Sequence, residues 1–187
     1  MHTKFLAILM IFLVLLLSVL ISIAPTFFTK GVSRVSLHQA IELPLILNTD
    51  KKIELIFFGY SGCTDICTPR LHTIAIWYDS FKYKDKVQVK FLDISQPYDS
   101  FLPNLFARSF HKDFRGVYLT ETNLRQYTKA FNVYFSKSLV NKYEFDHTAN
   151  LYLLKRSKNL KELRYIYTAY PYDLKQINTD IEELLYD

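Results

Sequence analysis

The segment KIELIFFGYSGCTDICTPR (52–70) holds both cysteines of the chain and places them between a strand and a helix. Its apolar start, KIELIFF, is rich in residues that favour β-strands, which predicts a buried strand. After the segment, apolar residues recur at the spacing of one helix face: Leu71, Ile74, Ala75, Tyr78 and Phe81. Thr68 suits a helix cap and Pro69 a first helical turn. Cys63 and Cys67 are therefore expected in the turn that joins a buried strand to a helix.

The remainder of the chain predicts an alternation of strands and helices. The expected elements are strands at 87–94, 151–154 and 162–169 and helices at 99–110, 122–131 and 174–185. Asp173 and Gln176 predict a capping box for the last helix. Asp93, at the end of its strand, can cap the next loop or approach the cysteine site, and we favour the cap. This order is a βαβ unit followed by ββα. Together with the position of the cysteines, it predicts an α/β, thioredoxin-like fold.

The N-terminus carries a long apolar run. Residues 5–24 (FLAILMIFLVLLLSVLISIA) contain no charge, and about 20 apolar residues suffice to cross a bilayer as a helix. A cleaved signal peptide has a shorter apolar region and a cleavage site of small residues, and here Pro25 directly follows the partial match SIA. We therefore expect an uncleaved transmembrane helix within residues 1–30 and a domain, residues 31–187, outside the cytoplasm.

The composition of the domain excludes some classes of protein and favours a folded one. Residues 31–187 are enough to bury one core without a disulfide framework. The formal net charge is +5, but lysines and arginines are scattered among acids, so we expect no nucleic-acid partner. With 15 Phe, 14 Tyr and only 4 Gly residues, the chain has the composition of a packed domain.

Two cysteines in such a turn allow three interpretations. They can be buried core residues, a redox couple or two ligands of a metal. A helix N-terminus lowers the pKa of a cysteine, and a thiolate is both a nucleophile and a soft metal ligand. Redox proteins of this fold usually have two residues between the cysteines, whereas Cys63 and Cys67 have three, which leaves room for an ion. Thiolates suit Cu(I), and thiolates with imidazole also suit zinc and Cu(II).

A metal site needs a third ligand, and His147 is the best placed histidine. It lies just before the strand that starts at residue 151. In a thioredoxin-like fold the loop before that strand passes beside the cysteines and usually contains a cis proline, which this chain lacks there. The other histidines are expected elsewhere: His2 before the apolar run, His38 at the entry to the domain, His72 on the helix after the cysteines and His111 in a surface loop.

Three stretches resemble one known family. GYSGCTDICT (59–68) is similar to the G-Y-T-x-C-P-D-x-C-P motif of the SCO/SenC proteins, which help deliver copper to cytochrome c oxidase. FDHTANLYLL (145–154) resembles that family's V-D-H-S/T-A-x-x-Y-L-L, and residues 106–137 are similar to the segment that leads to this histidine loop. The resemblance runs from about Leu37 to the end of the chain.

The resemblance implies a copper site and a membrane location. It makes Cys63, Cys67 and His147 the ligands of one copper ion, Cu(I) or Cu(II), with Asp65 between the cysteines and Asp146 before the histidine. The implied partners are the copper-bearing subunit of cytochrome c oxidase and, through residues 5–24, the lipid bilayer. The implied location is the bacterial cytoplasmic membrane facing the periplasm, or the mitochondrial inner membrane facing the intermembrane space.

The chain also departs from the family motif. The prolines that follow the two cysteines in the family are Thr64 and Thr68 here, and the usual histidine before the first cysteine is Gly62. The loop after Asp93 has also diverged. Loss of the prolines is expected to weaken copper affinity or to leave the two thiols more mobile.

The sequence leaves two functions open for this pair of cysteines. The first is a copper chaperone that passes its ion to a membrane partner by ligand exchange. The second is a thiol–disulfide reductase with Cys63 and Cys67 as its catalytic pair, acting on the copper-site cysteines of the oxidase or on other extracytoplasmic thiols. A third ligand at His147 favours the chaperone. A thiol peroxidase fits less well, since only Arg70 lies near enough in sequence to support a peroxide pocket.

Overall fold

The computed structural model describes residues 5–6, 9–19, 33–42, 49–141, 144–157 and 160–187. Contacts divide the chain into two units, Met1–Val32 and Ser33–Asp187. In the first unit, residues 9–19 form a helix. No helix among the described residues combines the length and the hydrophobicity needed to cross a membrane. Part of the predicted span, residues 7–8 and 20–24, lies outside the described residues.

The second unit is built on a six-stranded sheet. In chain order its elements are β1 (Arg34–Ile41), β2 (Ile53–Gly59), α1 (Cys67–Ser80), β3 (Val87–Asp93), α2 (Leu102–Phe110), β4 (Arg115–Tyr118), α3 (Glu121–Ala130), β5 (Phe135–Lys137), β6 (Phe145–His147), β7 (Leu151–Ser157), β8 (Leu160–Tyr167) and α4 (Leu174–Tyr186). The strand order in the sheet is β1-β8-β7-β2-β3-β4, and β5 and β6 form a separate hairpin.

Strand β2 lies at the centre of the core. All seven of its residues are buried, which explains why its sequence is a continuous apolar run rather than an alternating one. On one face the ring of Phe58 packs against Phe131, at the end of α3, and against Tyr152, with centroid distances of 5.4 and 5.6 Å. The other face carries Phe57, whose ring lies edge-on to His147.

The directions of the strands decide where the loops meet. β2 pairs in parallel with β3, and Gly59 lies opposite Asp93 at the carboxyl ends of both strands. β7 pairs antiparallel with β2, with Leu151 opposite Phe57. The start of β7 therefore lies at the same edge of the sheet as the ends of β2 and β3. The cysteine turn, the loop after β3 and the loop before β7 all converge on this edge.

The apolar face predicted for α1 and the cap predicted for α4 are both observed. The residues predicted to face the core from α1 are all buried: Leu71, Ile74, Ala75, Tyr78 and Phe81. The indole N–H of Trp77 donates to the side-chain oxygen of Asn178 at 2.6 Å, which ties α1 to α4. The carboxylate of Asp173 accepts hydrogen bonds from the backbone N–H groups of Lys175 and Gln176, which confirms the cap of α4. The predicted capping box is not completed, because the side-chain amide of Gln176 donates to Asp180 instead.

The predicted order of the core elements is confirmed, but four strands were missed. β4 has four residues, and β5 and β6 have three each, which is too short for an alternating pattern to stand out. β1 is an edge strand with mixed burial, so its sequence lacks a continuous apolar run. The prediction also placed the start of α1 near Thr68 and Pro69, whereas the helix begins at Cys67.

The close approach of α2 to β4 gives a test of the fold. A Cβ atom at Gly116 would overlap with the backbone carbonyl of Pro103. We expect Gly116→Ala to lower the free energy of unfolding by about 3 kcal/mol, because backbone atoms must move apart. At Gly62, φ is +90° but a Cβ would meet nothing within 4 Å, so Gly62→Ala should cost only about 1 kcal/mol. Urea denaturation of both variants compares the two costs, and equal losses would contradict this account of Gly116.

Candidate metal centre

The turn between β2 and α1 is held together by the two cysteines. The backbone N–H of Cys63 donates to the carbonyl of Tyr60 at 3.1 Å. The backbone N–H of Cys67, the first residue of α1, donates to the sulfur of Cys63 at 3.2 Å. No side chain caps α1 from its N-cap residue, Ile66. The sulfur of Cys63 therefore satisfies a free N–H group of the first turn, which explains why the helix begins at Cys67.

Gly59 makes room for the second sulfur. A Cβ atom at this position would lie 2.6 Å from the sulfur of Cys67 and 2.9 Å from the ring of Phe91. Both contacts are shorter than van der Waals packing permits, so a larger residue at the end of β2 would have to displace the sulfur of Cys67 and the ring of Phe91. With glycine here, the sulfur can lie over the strand end. Cys67 is 0% exposed and Cys63 is 2% exposed, and neither forms a disulfide.

Asp93 joins the cysteine turn to the neighbouring loop. Its side chain is fully buried. One carboxylate oxygen accepts the backbone N–H and the hydroxyl of Ser61, at 2.8 and 2.5 Å. The other accepts the backbone N–H and the hydroxyl of Ser95, at 2.8 and 2.6 Å. The favoured prediction, a cap of the loop after β3, is confirmed by the contacts with Ser95, and the contacts with Ser61 also bear out the alternative, in which Asp93 approaches the cysteine turn.

His147 reaches the cysteines from the β5–β6 hairpin. Its Nδ1 lies 3.1 Å from the carbonyl oxygen of Thr148, and since a carbonyl only accepts hydrogen bonds, Nδ1 carries the proton. In the neutral imidazole, Nε2 then has a free lone pair, and it lies 3.6 Å from the sulfur of Cys67. Such a hydrogen bond from the second ring nitrogen is the usual support for a metal-ligating histidine.

Aromatic rings enclose the imidazole of His147. Tyr60 and Phe57 both lie edge-on to it, with centroid distances of 6.0 and 6.5 Å. Tyr60 also packs against Phe145 at 5.4 Å, on the strand that carries the histidine. Sequence reasoning assigned no role to Tyr60, although its place three residues before Cys63 was a signal.

The structure brings the three predicted ligands together. One ligand atom from each of Cys63, Cys67 and His147 lies within 4.8 Å of the other two. Asp65 and Asp146, the acids beside these residues, are exposed and do not belong to this cluster.

The other histidines that the structure describes, His38, His72 and His111, lie away from the cluster. His38 is exposed on β1, and His72 packs its ring against Phe110. His111 was expected in a surface loop, but its ring is largely covered and contacts Tyr78, and its Nε2 lies 3.0 Å from a carboxylate oxygen of Asp79. His2 lies outside the described residues.

The two thiols differ in acidity. Hydrogen bonding by the thiol of Cys67 lowers the pKa of Cys63 to about 4, against the opposing effect of burial, and the backbone N–H of Cys67 adds to the decrease. The same pair interaction, together with burial, raises the pKa of Cys67. Near neutral pH, Cys63 is therefore a thiolate that accepts hydrogen bonds, while Cys67 keeps its proton.

This donor set permits two kinds of chemistry. Two sulfurs and one imidazole nitrogen within 4.8 Å could hold one soft or borderline metal ion such as Cu(I), Cu(II) or zinc. Metal binding would displace the proton of Cys67, because the thiolate is the ligand. Without a metal, a thiolate beside a protonated thiol is also the pair needed for thiol–disulfide exchange.

The fold and the site define a thioredoxin-like domain with a Cys-Cys-His cluster at the carboxyl edge of its parallel strands. Comparison with known proteins identifies the family to which this domain belongs. The chain belongs to the SCO1/SenC family, whose family model matches residues 48–185.

Two relatives and one solved structure show the extent of the similarity. Mitochondrial protein SCO1 of Saccharomyces cerevisiae is 30% identical over 110 residues, which is 55% of this chain and 37% of that protein. Mitochondrial protein SCO2 of the same yeast is 28% identical over 114 residues, 57% of this chain and 38% of that protein. The crystal structure of yeast Sco1 with copper bound has a TM-score of 0.58 at 25% identity, covering 73% of this chain and 77% of that one. The matched region thus spans less than two fifths of either yeast protein.

The unequal acidity of the thiols can be measured by thiolate absorbance. In the reduced, metal-free protein, we expect one thiolate to form with an apparent pKa of about 4. The second should form only well above the ordinary cysteine pKa of about 8.5. Absorbance at 240 nm against pH follows both steps. Cys63→Ser should remove the acidic step, whereas Cys67→Ser should retain it, because a serine hydroxyl still donates. The reverse pattern would show that the assignment is wrong.

Asp93 offers a second test. An asparagine has one acceptor oxygen, so Asp93→Asn leaves the N–H of either Ser61 or Ser95 without a partner. We expect a loss of about 2–3 kcal/mol in the free energy of unfolding, measured by urea denaturation. Asp85→Asn, a change at an exposed aspartate, should have no measurable effect. A fully stable Asp93→Asn variant would contradict the role of this carboxylate as a link between the two loops.

Proposed function

We propose that this protein is a membrane-anchored copper chaperone that delivers copper to the binuclear site of cytochrome c oxidase during assembly. One ion would be bound by Cys63, Cys67 and His147. The observation that carries the proposal is the convergence of these three donors within 4.8 Å from two separate parts of the chain, the cysteine turn and the histidine strand. A thiol–disulfide reductase uses only the two thiols, so it would not need His147 beside them.

The chemistry of the ligands and of the relatives supports copper. Two thiolates and an imidazole suit both Cu(I) and Cu(II). Yeast Sco1, which is 25% identical in its solved structure, has been crystallised with copper bound. The three ligands belong to different parts of the fold: Cys67 starts α1, Cys63 lies in the turn before it and His147 ends the short strand β6. A partner can therefore replace one ligand at a time, as transfer by ligand exchange requires.

The recipient is inferred from the family. BsSco, a structural neighbour of this domain, is a member of the Sco family of cytochrome c oxidase assembly proteins. The two yeast relatives are mitochondrial proteins. The partner proposed for this chain is accordingly the copper-bearing subunit of the oxidase.

Residues 5–24 are proposed as the membrane anchor, with the domain outside the cytoplasm. The support is the uncharged apolar run itself, which is long enough to cross a bilayer. A SCO1/SenC family protein from Bacillus anthracis is a lipoprotein, so attachment to a membrane has a parallel among the structural neighbours. The proposed location is the periplasmic face of a bacterial cytoplasmic membrane or the corresponding face of the mitochondrial inner membrane.

The acidity of Cys63 supports a second candidate, thiol–disulfide reduction. The thiolate of Cys63 would attack one sulfur of a partner disulfide, forming a mixed disulfide and releasing the other partner sulfur as a thiolate. Cys67 would then lose its proton and attack the sulfur of Cys63, which releases the second partner thiol. The partner gains two electrons and the Cys63–Cys67 pair becomes a disulfide. BsSco, a family member, contains a disulfide switch.

Copper stoichiometry separates the two candidates. We expect the reduced protein, titrated anaerobically with Cu(I) and then with Cu(II), to bind one ion tightly. His147→Ala should lose the ion or bind it at least about tenfold more weakly, because one of three ligands is gone. His72→Ala, at an exposed position on α1, is the matched control and should bind copper like the parent.

Two results would contradict copper delivery. One is a parent protein that binds no stoichiometric copper but readily reduces a small disulfide, which would favour the reductase. The other is equal copper binding by His147→Ala and the parent, which would remove His147 from the site.

A further inference from the structure

Thr68 makes an unusual hydrogen bond across the cysteine turn. Its hydroxyl donates to the backbone carbonyl of Cys63 at 2.8 Å. Thr68 is the second residue of α1, and side chains at a helix start more often point forward to free N–H groups. Here the side chain reaches back over five residues to the residue that supplies the thiolate. The bond is partly buried, so water does not fully replace it.

This bond completes the hydrogen bonding of Cys63. The N–H of Cys63 is bound by the carbonyl of Tyr60, and its sulfur accepts the N–H of Cys67. The hydroxyl of Thr68 satisfies the remaining group, the carbonyl. The carbonyl belongs to the peptide that leads into Thr64 and Asp65, two exposed residues whose side chains hydrogen-bond to each other. Thr68 thus connects the start of the exposed loop to the helix.

We propose that Thr68 is a positioning residue for Cys63. Its hydroxyl fixes the orientation of the peptide after Cys63 and so holds the sulfur facing Cys67 and His147. The bond acts on the backbone of a ligand rather than on the metal. The part of this inference that concerns copper rests on the proposed function, whereas the part that concerns the spacing of the two sulfurs does not.

Thr68→Val tests the proposal in the full chain in detergent micelles, because valine has nearly the same shape and no hydroxyl. We expect the Cu(I) dissociation constant, measured anaerobically by competition with bicinchoninate, to rise about 3- to 10-fold, the worth of one hydrogen bond. Thr68→Ser should bind copper within about twofold of the parent, because it restores the donor.

Thr128→Val is the matched control. The hydroxyl of Thr128 donates to the carbonyl of Leu124 at 2.8 Å, also in a partly buried position, but on α3. Its loss should lower the free energy of unfolding about as much as Thr68→Val and leave the Cu(I) dissociation constant unchanged. Equal weakening of copper binding in both variants would show that stability alone is responsible, and the proposal would be overturned.

A second measurement works without copper. The two thiols are equilibrated with reduced and oxidised glutathione, so that glutathione disulfide takes up two electrons as Cys63 and Cys67 form a disulfide. Thr68→Val should lower this equilibrium constant about 3- to 10-fold, because the sulfurs are held together less well, and Thr68→Ser should restore it. If the parent binds no copper, the proposed function fails and this equilibrium alone decides on Thr68. A parent-like Thr68→Val in this measurement would overturn the proposal.

Discussion

The hydrogen bond from the N–H of Cys67 to the sulfur of Cys63 connects the fold of this protein to its chemistry. It starts α1 at a residue that is itself part of the site. The apolar face of the helix then packs into the core, which holds the helix start in place. The bond also favours the anionic form of Cys63. Helix initiation, core packing and the acidity of a thiol therefore depend on one short segment, and a change in any of them affects the others.

Strand directions supply the remainder of the site. The parallel pair β2 and β3 places Asp93 beside the cysteine turn, and the antiparallel strand β7 begins at the same edge. His147 arrives four residues before β7, held by the β5–β6 hairpin and by its own bond to Thr148. The cysteine turn is anchored in the core, whereas the histidine lies on a two-stranded element outside the main sheet. This division is compatible with the proposed function, in which the site would bind an ion and later release it.

The same arrangement explains why the two candidate functions are hard to separate by fold alone. A thiolate next to a protonated thiol serves disulfide exchange and metal binding equally well. His147 is the feature that distinguishes them, because its free Nε2 lone pair adds a donor that exchange chemistry does not use. The enclosing rings of Phe57 and Tyr60 limit the movement of this imidazole, which favours a preformed ligand.

The sequence by itself determined the elements whose pattern is local. The apolar run of β2, the buried face of α1, the cap at Asp173 and the place of the cysteines where β2 leads into α1 were all readable, because each depends on neighbours within a turn or two. Contacts between distant parts of the chain were decided by the tertiary structure. Cys67 and His147 are 80 residues apart, and their contact exists because β7 pairs with β2. The predicted fold, which brings the loop before β7 beside the cysteines, and the motif around His147 indicated this contact in advance. The short strands β4 to β6 had no local pattern, and the contacts of Asp93 with Ser61 and of Tyr60 with Phe145 exist only because distant segments meet at one edge of the sheet.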